Sequence, residues 1–157
     1  MAADLANAPH DLLLELLRRF QQEGVDYVLI GGQAVRLNGY LRATEDVDVL
    51  LKPGRVNGEK VIRALGFLSS SVDLQPQWFE KMGEEIENIR IADDLIVDLL
   101  FAANGETIET VRPHIRELLV DAVTIKVLNI DGLLMTKTDY REKDQLDKLM
   151  LKKLQKQ

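Results

Sequence analysis

Two aspartates two residues apart, Asp46 and Asp48, lie in the run Asp46-Val47-Asp48-Val49-Leu50-Leu51. The run reads as a strand, and side chains at i and i+2 of a strand leave the same face. Two carboxylates side by side repel each other, and on a half-buried strand they also lose hydration. A divalent metal would compensate, because hard cations take carboxylate oxygens. The same spacing also occurs on solvated strand faces, so the pair alone does not decide. Asp98 adds weight, since it interrupts Leu95-Ile96-Val97-Asp98-Leu99-Leu100-Phe101, a segment apolar enough for a buried strand. An unpaired charge there costs several kcal/mol. It must meet a metal or a basic side chain, and Arg90 and Arg42 are the candidates for the latter. The third feature is Gly31-Gly32, placed after a strand and before a helix. Glycines let backbone N–H groups approach a phosphate, and a helix start adds positive potential. A plain tight turn is the alternative. The residues that follow complete neither Gly-x-Gly-x-x-Gly nor a Walker pattern.

The elements that must position these residues can be read from spacing. Asn7 and Pro9 open a helix in which Leu13, Leu16, Leu17 and Phe20 recur at helical intervals, and Gly24 stops it. Val25 to Ile30 is a strand, Gln33 to Gly39 a short helix, and Asp46 to Leu51 the second strand. Lys52-Pro53-Gly54 turns the chain, and Asn57 can cap a helix running to Gly66. Ser69 to Asp73 reads as a loop, and Pro76 opens a short helix with Trp78 and Phe79. Glu87 to Ala92 and Leu95 to Phe101 form a hairpin across Asp93-Asp94. Glu106 to Leu119 is predicted helical with a break at Pro113. Val123 to Leu128 is a strand, and Asp131 to Lys137 and Tyr140 to Leu154 are closing helices. This order predicts an α/β (α+β) fold, a mixed β-sheet flanked by helices. Residues 1–157 are expected to form one domain, with the closing helices from about 130 to 157.

Composition narrows the class. The chain has 157 residues, 46% of them hydrophobic and 29% charged, and no cysteine. A chain of this size buries roughly 70% of its unfolded surface. Disulfide frameworks, thiolate chemistry and cysteine zinc sites are excluded. No apolar run reaches the length of a membrane span, and the acidic N-terminus argues against a secretory signal. A cytoplasmic location and no membrane partner are expected. Of the net charge of −6, the stretch from Lys137 onward carries +3 and the rest −9. Such an acidic body is a poor non-specific nucleic-acid binder.

Taken together, Gly31-Gly32-Gln33-Ala34-Val35, then Arg42-Ala43-Thr44-Glu45-Asp46-Val47-Asp48-Val49-Leu50, then Val97-Asp98-Leu99-Leu100 resemble the nucleotidyltransferase superfamily, with the DNA polymerase β-like fold. The likeness is nearest to AbiEii-type and related minimal nucleotidyltransferases. Leu133-Leu134-Met135-Thr136-Lys137 and Arg141-x-Lys143-Asp144-x-x-Asp147 are similar to that group's closing helices, so the resemblance spans roughly residues 25 to 150. Many members have Gly-Ser where this chain has Gly31-Gly32, which leaves backbone N–H groups and Gln33 to hold terminal phosphates. The resemblance implies two Mg²⁺ ions held by Asp46, Asp48 and Asp98, with Asp98 taking the proton of the acceptor hydroxyl. It implies an NTP donor, and phosphate or acceptor contacts from Arg42, Thr44 and Lys137. The acceptor could be a tRNA, a protein or a small molecule, and an antitoxin partner and a toxin–antitoxin or phage-defence role come with the kinship. A homodimer is compatible with the small size.

Two other readings stay open. A catalytically silent module could keep the fold and bind a nucleotide or a partner protein. A purely structural ion-pair network would give Asp98 a cationic side chain and bind no metal. His10 and His114 read as surface residues, and Trp78-Phe79 as core rather than a base-stacking platform.

Overall fold

Alternation along three strands separates a core face from an open face. The computed structural model describes residues 8–40 and 46–157. Chain order runs α1 (Ala8–Glu23), β1 (Tyr27–Ile30), α2 (Gly31–Leu37), β2 (Asp46–Leu51), α3 (Arg55–Ala64), α4 (Pro76–Glu80), β3 (Asn88–Ala92) and β4 (Ile96–Leu100). A two-residue ladder, β5 (Ala102–Ala103) with β6 (Glu106–Thr107), leads to α5 (Ile108–Val111), β7 (Ile115–Val120), β8 (Val123–Leu128), α6 (Ile130–Thr136) and α7 (Glu142–Gln155). The six-stranded sheet has the order β3-β4-β2-β1-β8-β7. β1 is antiparallel to β2 and parallel to β8; β2 is parallel to β4, and β3–β4 and β7–β8 are antiparallel hairpins. The expected mixed sheet flanked by helices is the observed architecture.

Val47 and Val49 of β2, Val97 and Leu99 of β4, and Ile89 and Ile91 of β3 are buried on the core face. The intervening residues, Asp46, Asp48, Asp98 and Arg90, stand on the other face. The α1 stripe of Leu13, Leu16, Leu17 and Phe20 is fully buried and packs with α3 and β8. Gly24, at φ +71°, stops that helix as expected. Phe79 is also fully buried, in keeping with its core assignment, while Trp78 is half-buried. Among the described residues no helix is long and apolar enough to cross a membrane.

Three expectations are corrected. The helix predicted over Glu106 to Leu119 is only one turn, α5, opened by the Thr107–Thr110 capping box. Pro113 then sits in a 3-10 turn, and Ile115–Val120 pairs with β8 instead. The missing proline N–H ends the helix, and the sheet edge beside β8 accepts the released segment. Asp121 and Ala122, at φ +48° and +67°, make the two-residue turn. Second, Asn57 does not cap α3, which starts at Arg55. Its buried side chain accepts from the Asp26 N–H (2.8 Å) and donates to the carbonyls of Asp26 (3.0 Å) and Lys52 (2.8 Å). Asn57→Ala is therefore expected to lower stability by about 2–3 kcal/mol, near 1 kcal/mol per bond; urea denaturation reads this, and a loss under 0.5 kcal/mol would refute the tether. Third, Ser69–Asp73 is a 3-10 segment, not a loop. Asp93 pins it by accepting from the Ser69 hydroxyl and the Ser70 N–H. The Asn7 cap lies outside the described residues.

Candidate active site

The register of β2 and β4 sets Asp48 directly opposite Asp98, with Asp46 two residues back along β2. β1 meets β2 so that Ile30 pairs with Asp48, and the chain enters α2 at the next residue, Gly31. Gly31 has φ +67°, and a Cβ there would lie 2.1 Å from Asp48 Oδ2. Both the left-handed backbone and the close approach require glycine. Asn38, at the far end of α2, donates to the carbonyls of Ala34 (2.8 Å) and Leu128 (2.9 Å), which fixes α2 to the sheet.

These residues line a cleft of about 480 Å³. Its sheet wall carries Asp46, Asp48, Asp98 and Arg90, and its opposite wall is the α6–α7 junction with Lys137, Thr138, Arg141, Lys143 and Asp144. Asp98 has the cationic partner the structural reading anticipates: Arg90 Nη1 lies 3.5 Å from Asp98 Oδ2, and Arg90 Nη2 lies 3.4 Å from Asp46 Oδ2. Asp48 has no such partner within ion-pair distance among the described residues. Burial, then the carboxylates of Asp98 and Asp46, push its carboxyl up to about 6, with Lys137 pulling weakly the other way.

Lys137 is buried, its Nζ 3.1 Å from Asp147 Oδ2 and 3.9 Å from Asp144 Oδ1. Burial opposes ionisation of Asp144, but the Thr138 N–H (2.9 Å) and hydroxyl (2.8 Å), with Lys137, hold its carboxyl below the usual range. The buried ammonium is thus held by two aspartates three residues apart on α7. Asn104 anchors the same wall, donating to the carbonyls of Met135 (3.1 Å) and Lys137 (2.9 Å).

The structure brings together Gly31, Gly32, Asp46, Asp48, Asp98 and Lys137 of the residues singled out from the sequence. Gln33 is buried, accepts a hydrogen bond from Arg36 (2.8 Å), and is not part of the cleft wall. Arg42 and Thr44 lie outside the described residues. Arg90 is one of the two partners anticipated for Asp98; its second contact, to Asp46, and the pairing of Lys137 with Asp144 and Asp147 emerge only from strand register and helix docking. The signal for the latter was two acids at i, i+3 on an amphipathic helix that also buries Leu151.

The donor chemistry fits a hard divalent cation, with three carboxylates on one face of neighbouring strands and one of them uncompensated. As placed, no three His, Cys, Asp or Glu side chains among the described residues converge on a single point. No family model and no curated protein matches the chain. Solved structures do. A Thermotoga maritima protein provisionally designated a nucleotidyltransferase is 16% identical, with a TM-score of 0.55 over 94% of this chain and 92% of its own. A nucleotidyltransferase-like antigenic protein of Paracoccidioides brasiliensis is 12% identical, with a TM-score of 0.53 over 92% of this chain and 73% of its own. The chain therefore shares the fold of these nucleotidyltransferase-like structures.

Proposed function

We propose that this chain is a nucleotidyltransferase that moves NMP from an NTP to a hydroxyl acceptor. The observation that carries this reading is the direct pairing of Asp48 with Asp98 beside Asp46, against a Gly31 whose backbone is shaped around the Asp48 carboxylate. The acceptor oxygen forms a bond to the α-phosphorus, the bond between that phosphorus and the β-bridging oxygen breaks, and pyrophosphate leaves. Asp98 would take the acceptor's proton. Asp46, Asp48 and Asp98 would hold Mg²⁺, which supplies charge neutralisation at the phosphates. Gly31 and Gly32 would bring backbone to the phosphates, and Lys137 would put a fixed positive charge on the facing wall. The acceptor is a tRNA, a protein or a small molecule. The AbiEii-type likeness of the sequence is what supports a toxin–antitoxin or phage-defence setting. The Arg90 bridge is the observation that favours a second reading, a purely structural ion-pair network that binds no metal.

Thermal unfolding with each NTP, with and without Mg²⁺, tests the proposal on wild type and Asp46→Ala. Ligand at 100 times its Kd adds about 2.7 kcal/mol, on the order of 5–10 °C for this size. A shift that needs both NTP and Mg²⁺ and vanishes in the variant is expected, followed by pyrophosphate release once an acceptor is supplied. No shift with any nucleotide would overturn the reading. A shift without turnover across acceptor classes would favour the silent module.

A further inference from the structure

We infer that Arg90 is the cleft's own counter-cation, and that a divalent metal must displace its guanidinium from Asp46 and Asp98 in order to bind. This rests on the nucleotidyltransferase reading of the same carboxylates. The β3–β4 register places Arg90 directly across from Asp98. From there its two terminal nitrogens reach carboxylates on two different strands, Asp98 on β4 at 3.5 Å and Asp46 on β2 at 3.4 Å. One planar group therefore spans the mouth of the carboxylate set. Both contacts are longer than the roughly 2.7–2.9 Å of a tight charge-assisted bond. The Arg90 side chain is 54% exposed. A loose, half-solvated pair of this kind contributes little and separates easily. The bridge also leaves Asp48 out, so it compensates only part of the charge.

The same arrangement has a thermodynamic consequence. If metal and guanidinium compete for Asp46 and Asp98, each weakens the other's hold by the same factor. The cleft then binds metal alone weakly. On displacement the freed guanidinium remains at the mouth of the cleft, where incoming polyphosphate can receive it. Arg90 is in this sense a positioning residue that couples metal entry to the arrival of an anion.

Mn²⁺, which takes the same hard oxygen ligands, provides the probe without any turnover. Its binding to the nucleotide-free protein can be followed by electron paramagnetic resonance on wild type, Arg90→Gln and Arg141→Gln. Arg141 lines the same cleft and lies 4.0 Å from Asp144, a different carboxylate. Arg90→Gln is expected to bind Mn²⁺ about tenfold more tightly than wild type, within the range of ordinary site coupling. Arg141→Gln, which removes one positive charge from the same cleft, is expected to change affinity less than about threefold by longer-range, screened attraction. Equal affinity in Arg90→Gln and wild type, or an equal gain in Arg141→Gln, would overturn the inference. If affinity is equal but Asp48→Asn abolishes binding, the carboxylate site stands and only the displacement fails. If no variant binds Mn²⁺, with or without NTP, both fail together.

Discussion

Asparagine in place of Asp48 is expected to lower nucleotidyl transfer by about a thousandfold or more and to raise stability at neutral pH. The first effect follows from removing the central carboxylate of the proposed metal site, which is asked to supply several kcal/mol of charge stabilisation at 1.36 kcal/mol per factor of ten. The second follows from the environment of the carboxyl. Burial and the carboxylates of Asp98 and Asp46 move it from 3.8 up to about 6. The unfolded chain therefore loses this proton first. The contribution to stability is intact below about pH 4, falls as pH rises from about 4 to 6, and is flat above that. By linkage the loss is on the order of 2–3 kcal/mol at pH 7.

Asparagine keeps the shape and cannot ionise. Urea denaturation in metal-free buffer should give nearly equal stabilities for variant and wild type near pH 4. The variant should then become more stable by on the order of 2 kcal/mol by pH 7. Added Mg²⁺ should reverse the order, because it stabilises only the protein that can bind it. A variant less stable than wild type at pH 7 without metal would show that the Asp48 carboxylate is already compensated. A variant with unimpaired transfer would remove Asp48 from the mechanism altogether.

The carboxylate wall was legible in the sequence because its information is local. A period of two fixes the face of Asp46 and Asp48 whatever the strand pairs with, and an acid within Leu95–Phe101 needs compensation in any fold. The register that puts Asp48 against Asp98 is not local; it depends on two strands 50 residues apart lying parallel. Arg90 was legible as a partner of Asp98 across the hairpin, but its reach to Asp46 as well reads only from the structure. Lys137 was legible as a cation near the closing helices. Its burial against Asp144 and Asp147 was not, because it depends on how α7 docks. The misread helix has a similar cause. Ile108, Val111, Ile115 and Leu118 recur at helical intervals on both sides of Pro113, a local pattern that favours a helix. The signal for the hairpin was weak, since Asp121-Ala122 makes a turn with two left-handed residues and no glycine. The vacant partner position beside β8 decided the outcome, as tertiary pairing commonly overrides local pattern.

Gly31→Ala carries the largest expected structural effect in the site. Two costs should combine there. At φ +67° alanine pays roughly 1–2 kcal/mol for a left-handed backbone. The added methyl would also stand 2.1 Å from Asp48 Oδ2, 2.9 Å from its Cγ and 3.0 Å from its Cβ. Rotating the Asp48 side chain relieves the first two contacts and leaves the third. Moving α2 instead would strain the hydrogen bonds that Asn38 makes to Ala34 and Leu128, and would disturb the buried Ala34, Val35 and Leu37. A total loss of about 3–4 kcal/mol is expected from strain and overpacking together, or roughly 10 °C in Tm. The NTP- and Mg²⁺-dependent stabilisation should go with it, since whichever side yields, Asp48 and the Gly31 backbone no longer meet the phosphates together. A double-mutant cycle separates the two costs. In an Asp48→Ala background the two closest contacts are gone while the left-handed backbone remains. Gly31→Ala should then cost about 1–2 kcal/mol less than it does in wild type, a coupling typical of residues in direct contact. Equal cost in the two backgrounds would assign the whole effect to the backbone and show that the Asp48 carboxylate does not determine why glycine stands at this position.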